Sequence, residues 1–177
     1  MAQKDADGGS DFKGRGMPHL IERIDSAIVV DAYQFMLVDI DGANGQPEGA
    51  LDLSELTTRA NKTDWFVTTA NLAIITSSDT WHLADIAMEL WDGQPPDDDG
   101  EWVKSETTIL YSSSGRMRLS ETLGGPSKLD TVMDLRDRTR TWPVRASFRP
   151  GPGVRYIEEQ PREGIESYRL QFWPSVR

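Results

Sequence analysis

Apolar and polar residues alternate along much of this chain, and alternation with a period of two marks a half-buried β-strand. Ala27 to Ile40 (AIVVDAYQFMLVDI) is β-branched and aromatic, with Tyr33, Phe35 and Leu37 on one face and Gln34 on the other. Asp41-Gly42 and Asn44-Gly45 end it with turn chemistry. Leu51 to Asn61 is the one helical candidate, with Leu53 and Leu56 on one side and Asp52 placed to cap it. Asn71 to Thr76 is a further strand. Trp81 to Trp91 resembles a helix until it is counted. Its even positions are His82, Ala84, Ile86, Met88 and Leu90, and its odd positions include Asp85 and Glu89, so period two fits. Val103 to Tyr111, Arg116 to Ser120 and a weaker Leu129 to Leu135 follow. Trp142 to Phe148 puts Trp142, Val144, Ala146 and Phe148 inward and Arg145 and Ser147 outward. After the Pro150-Gly151-Pro152-Gly153 break, Ser167 to Trp173 turns Tyr168, Leu170 and Phe172 inward. The pattern predicts an all-β fold, an antiparallel β-sandwich or open barrel of about seven to nine strands with one short helix.

Residues 1–18 are rich in Gly, Asp and Lys and read as a disordered tail. The remaining residues, 19–177, fit a single β-rich domain, because two domains would each have a meagre core. The first residues contain no apolar stretch of the kind a secretory signal needs, and no apolar run approaches a membrane span. With no cysteine in the chain, a disulfide framework, a thiolate metal site and a cysteine nucleophile are excluded, and a cytoplasmic location is the expectation.

Charge changes the picture. Acidic residues number 29 against 19 basic ones, a net of −10. Residues 1–100 hold 19 acids and 6 bases, whereas residues 101–177 hold 10 acids and 13 bases. Such a chain is repelled by nucleic acid and anionic membranes and attracted to basic partners. Surface acid also serves solubility alone.

Signatures of catalysis are sparse. The two histidines, His19 and His82, are not at metal-ligand spacing, and His82 alternates with core positions as a structural residue would. Gly14-Arg15-Gly16 lacks the rest of a phosphate loop. Asp39-x-Asp41 begins like a calcium loop, but Ala43 and Ala50 stand where oxygen ligands are required. No cofactor or metal is expected.

Three constellations remain. The acids Asp92, Asp97, Asp98, Asp99 and Glu101 sit beside Trp91 and Trp102. Charge would steer a basic partner and a ring would anchor it; the plainer reading is a hairpin loop whose tryptophans fold back into the core. Arg136, Arg138 and Arg140 recur at every second residue and precede Arg145 and Arg149. Salt bridges within the fold, with Asp134 and Asp137 at hand, suit them better than a phosphate site. Tyr168, Phe172 and Trp173-Pro174 read as a closing core strand.

Three stretches carry a resemblance: DAYQFMLVD, then SSDTWHLADIAMELWDG with EWVKSETTILYSSSGRMRLSE, and finally WPVRASFRPG with ESYRLQFWP. Together they span about half the chain. The layout resembles a group of small acidic β-rich proteins of high-GC bacteria and, more remotely, the competence-associated inhibitors of a DNA-entry nuclease. The resemblance implies stoichiometric inhibition and hence an inhibitor or immunity role. Insertions around Pro95 and Gly124 depart from that layout, so no residue role is carried across. The expectation is a non-enzymatic acidic protein that occupies a basic surface of a nuclease or toxin. The alternatives are an assembly component in which acidic and basic halves of neighbouring copies meet, and a hydrolase using carboxylates alone.

Overall fold

The computed structural model describes residues 16–42, 51–62, 64–97, 101–122, 125–126, 131–152 and 160–175. The Asn44-Gly45 turn, Asp98, Asp99, Gly124, Gly153 and all but the last three residues of the expected tail lie outside them. Among the described residues eleven strands form two facing sheets that are not closed into a barrel.

The first sheet contains β1 (Leu20–Val30), β5 (His82–Trp91), β11 (Arg162–Phe172), β10 (Arg140–Pro150) and β6 (Lys104–Ser112), in that spatial order. The second contains β3 (Phe66–Thr69), β4 (Leu72–Thr76), β2 (Gln34–Asp39), β7 (Arg116–Glu121) and β8 (Gly125–Pro126), with β9 (Val132–Asp134) also on β7. Among the described residues all pairings of one strand with another are antiparallel except β11 with β5; a single parallel bridge also joins Ala70 to Tyr111. The alternating residues of β5, β10 and β11 point as expected. Ile86, Met88, Val144, Leu170 and Phe172 are buried between the sheets against Phe35 and Leu37 of β2.

The apolar stretch from Ala27 to Ile40 is two strands, not one. Ala32 and Tyr33 both have positive φ, 51° and 63°, and Gln34 N–H donates to Asp31 O at 3.1 Å. This two-residue turn has the backbone signs of a mirror-image turn, and it moves the chain from the first sheet to the second. Tyr33 therefore leaves the face it was expected to share with Phe35 and Leu37, and stands 52% exposed.

A second crossing lies between β6 and β7. Buried Asp39 gathers it, accepting hydrogen bonds from Ser112 Oγ and, at 3.1 Å, from Ser114 N–H. At Gly115 φ is +73°, and a Cβ would sit 2.1 Å from the Asp137 carbonyl oxygen, so only glycine fits.

The helix α1 (Leu53–Lys62) begins where the sequence indicates. Asp52 Oδ1 accepts from Glu55 N–H at 2.8 Å, the bond of an N-cap. Leu56 and Ala60 pack on Val67 and Ile74, on the side of the second sheet away from the main core. Ten residues form a marginal helix in isolation, so this packing holds it in place. Asp52→Ala should lower stability by about 1 kcal/mol, read as a lower urea midpoint with unchanged slope. An unchanged midpoint would show that the cap is dispensable.

Candidate functional site

The sheet order forces the acidic loop across the molecule. β5 and β6 are consecutive in the chain, but β11 and β10 lie between them. The described parts of this connection, residues 92–97 and 101–103, therefore lie as a strap over the outer face of the first sheet. Beneath it, Arg145 of β10 points outward, as its alternation requires, yet is only 6% exposed. Its guanidinium donates to Pro96 O at 2.6 Å, to Pro95 O at 3.4 Å and to Asp97 Oδ1 at 3.3 Å. Its Nε donates to Gln171 Oε1 at 2.8 Å. Burial pulls the Arg145 pKa below its ordinary value, against the opposing pull of Asp97 and Glu89.

The network continues along the sheet. Gln171 Nε2 and Trp91 Nε1 both donate to buried Glu89, at 2.8 and 3.0 Å, and Arg23 pairs with the same carboxylate at 3.1 Å. At the far end of the strap Glu101 pairs with Arg149. The guanidinium carbons of Arg149 and Arg169 lie 5.0 and 4.7 Å from the Trp102 ring centre, within cation–π range.

Of the predicted acidic constellation, Asp97 and Glu101 lie over Arg145 and Arg149 of β10. Trp91 and Trp102 are half-buried and engaged within the molecule. Asp92 is tied to the start of β1. It accepts from His19 N–H at 2.7 Å and faces His19 Nδ1 at 3.2 Å, and these contacts lower its pKa. Asp97 keeps 97% of its side chain in solvent while touching Arg145.

The arginine series is mostly consumed in the same way. Arg140 pairs with Asp137 at 2.8 Å, and Arg136 reaches Glu22 at 3.4 Å. Arg136, Arg138 and Arg140 do not share the face of an extended strand, because Arg136 and Thr139 have φ of 65° and 52°.

A second cluster is closed to water. Glu166 of β11 is 1% exposed and His82 of β5 is 0% exposed. A bulge between Glu163 and Ser167, with Gly164 at φ 75°, precedes the alternation that turns Glu166 inward beside Tyr168. Ser77 Oγ at 2.5 Å, Tyr168 O–H at 2.6 Å, Ser78 N–H at 3.0 Å and Ser78 Oγ all donate to its carboxylate. His82 Nε2 lies 3.3 Å away, outside hydrogen-bond alignment. Burial alone would raise the Glu166 pKa, but its donors outweigh burial and hold it at about 2. Such a group fixes the fold; it has no access to a substrate.

A third surface was missed in the sequence. Trp81 is 54% exposed with φ 54°, a backbone conformation that bulky side chains rarely take. Its N–H donates to Val30 O at 2.8 Å and its carbonyl accepts from Arg162 N–H at 3.2 Å. Tyr33 O accepts from Ser77 N–H at 2.9 Å, so the two turns carrying these exposed rings are stitched together. Trp81 also lines a cleft of about 570 Å³, with Val29, Leu83, Pro161, Glu121 and Glu163. Trp81 lies in the turn before β5, so the strand alternation carried no signal for it.

Among the described residues no three His, Asp or Glu side chains converge as metal ligands, and no helix is long and apolar enough to cross a membrane.

No family model matches this chain, and no curated protein matches it in sequence. Two solved structures are similar in fold. ComJ of Bacillus subtilis, an inhibitor of the DNA-degrading activity of NucA, superposes with a TM-score of 0.54 at 9% identity, over 90% of this chain and 100% of ComJ. The crocagin biosynthetic gene J protein superposes with a TM-score of 0.51 at 12% identity, over 91% of this chain and 100% of its own. What this chain shares with a nuclease inhibitor and a biosynthetic gene product is the all-β, sandwich-like architecture.

Proposed function

We propose that this protein is a non-enzymatic binding protein of inhibitor or immunity type, which occupies a basic surface on a nuclease or toxin. The observation that carries this reading is the likeness of its fold to ComJ over the whole of that inhibitor. The net charge of −10 suits the partner, because an acidic protein competes for a surface that evolved to hold phosphate.

The test is stoichiometric. Basic nucleases purified from the producing cell are assayed on plasmid DNA while this protein is titrated in. One of them should lose activity linearly up to an equimolar amount. Association should slow at least about tenfold between low and high salt, since exposed charges are screened beyond roughly 10 Å at 0.1 M. A full panel of nucleases and toxins from that cell, none bound at micromolar concentration, would sink the proposal. Salt-independent binding would remove charge complementarity from it.

A further inference from the structure

Granting a basic protein partner, the strap is a poor place to meet it. Its described carboxylates Asp92, Asp97 and Glu101 already face His19, Arg145 and Arg149, and Trp102 lies against two guanidiniums. The end of the sandwich where β1 turns into β2 and β4 leads into β5 is different. There Tyr33 and Trp81 stand 52% and 54% exposed, on two turns bonded to each other through Ser77 and Tyr33.

We infer that this end is the partner-binding surface, with Trp81 and Tyr33 as anchors and the adjoining cleft as the seat for a basic segment of the partner. This assignment rests on the reading given under Proposed function. Geometry and chemistry converge on it.

Both anchors are held outward by the backbone. Positive φ at Tyr33 and Trp81 is costly for aromatic residues, and such outliers persist only where the surroundings enforce them. The Val30 and Arg162 backbone bonds do so for Trp81. Arg162 is itself fixed, donating to Asp79 Oδ1 at 2.6 Å and Thr80 O at 2.8 Å. The backbone that carries the anchors is thus already fixed before binding.

Chemistry agrees with this geometry. Tryptophan and tyrosine are the residues most often found as anchors in protein interfaces. Val29, Leu83 and Pro161 give the cleft an apolar floor, and Glu121 and Glu163 stand in its lining. Asp31, beside Tyr33, adds negative charge, whereas Asp79 is already paired with Arg162. An apolar floor with a carboxylate rim fits a lysine or arginine side chain, whose stem packs while its head pairs.

The experiment places a photo-cross-linking phenylalanine at position 81 in one strain and at position 97 of the strap in another, in the cells that make this protein. Adducts are identified by mass, and the purified partner is then titrated calorimetrically with the unmodified protein, Trp81→Ala, Tyr33→Ala and Asp97→Asn. The expected result is one adduct with a basic nuclease or toxin, formed from position 81. Trp81→Ala should then weaken binding at least about 30-fold, with Asp97→Asn within about threefold of the parent. Urea midpoints of the variants confirm that each is folded. An adduct formed from position 97 alone, or a Trp81→Ala variant that binds as the parent does, would overturn the surface while leaving the inhibitor reading intact. Failure of both positions to yield a nuclease or toxin would overturn both.

Discussion

Glu166→Ala is expected to cost the fold about 3–5 kcal/mol, the loss typical when one member of a buried charged cluster is removed. The carboxylate accepts from Ser77, Ser78 and Tyr168 and faces His82. Its removal strands several buried polar groups at once, and each costs about 1–3 kcal/mol when left unsatisfied. Against a total stability of about 5–15 kcal/mol for an ordinary domain, this should be visible as a large fall in the urea midpoint. Glu166→Gln keeps an acceptor and should lose less. A loss from Glu166→Ala below about 1 kcal/mol would mean that water already reaches the site.

The same cluster makes a pH prediction. Glu166 is held at about 2 in the folded protein, against an ordinary value of 4.5. A folded pKa below the unfolded one contributes stability that is fully present above the unfolded value and is lost as pH falls through the folded one. The shift corresponds to about 3 kcal/mol, lost between pH of about 4.5 and about 2. Asp39 and Asp79 also titrate low in the fold. Burial opposes the shift at Asp39, but its Ser112 and Ser114 hydrogen bonds prevail; Asp79 is lowered chiefly by Arg162. They steepen the same window. Burial, reinforced by Glu166, raises the Tyr168 hydroxyl well above its ordinary value, so it remains a donor throughout. Stability against pH should therefore fall less steeply in Glu166→Gln than in the parent; identical slopes would show that Glu166 is not the group responsible.

How far the sequence was legible follows from what is local. Strands with one face in the core show period two, which is why β5, β10 and β11 could be read residue by residue, and Asp52 announced its helix as a cap does. The break at Ala32-Tyr33 gave no warning, because neither residue is the Gly, Asn or Asp that usually marks positive φ. β3, with only four residues (Phe66–Thr69), is too short to display a period. Glu166 was passed over because it precedes the apolar run Tyr168, Leu170, Phe172, and its inward turn follows a bulge that pattern alone does not reveal. The strap was unreadable for a different reason. Arg145 was read correctly as outward-facing, but its burial depends on β11 and β10 lying between β5 and β6. That spatial order is a property of the whole fold. Tyr33 and Trp81 come together for the same reason, from turns more than forty residues apart.

Removing the guanidinium beneath the strap separates these two levels. Arg145→Met keeps much of the volume of the side chain but withdraws the donors to Pro95 O, Pro96 O, Asp97 and Gln171. Bonds from a charged donor are worth roughly 1.5–3 kcal/mol each. The strap carbonyls can turn to water once released, whereas Gln171, 2% exposed, cannot. The net cost should therefore be about 3 kcal/mol, below the sum of the bonds. Arg145→Lys should recover only part of it, since an ammonium cannot span the strap carbonyls and the Gln171 amide with one planar fork. The lost strap contacts have their own readout. A protease that cuts before aspartate should cleave the Arg145→Met strap many times faster than the parent's, at denaturant concentrations where both remain folded. Asp97→Asn should change neither quantity appreciably, because Asp97 meets Arg145 with its side chain almost wholly in water. Equal cleavage of parent and Arg145→Met would show that the strap is held by its anchors alone, the His19–Asp92 bond at one end and the Trp102 stack at the other, and that the buried arginine serves the sheet rather than the loop above it.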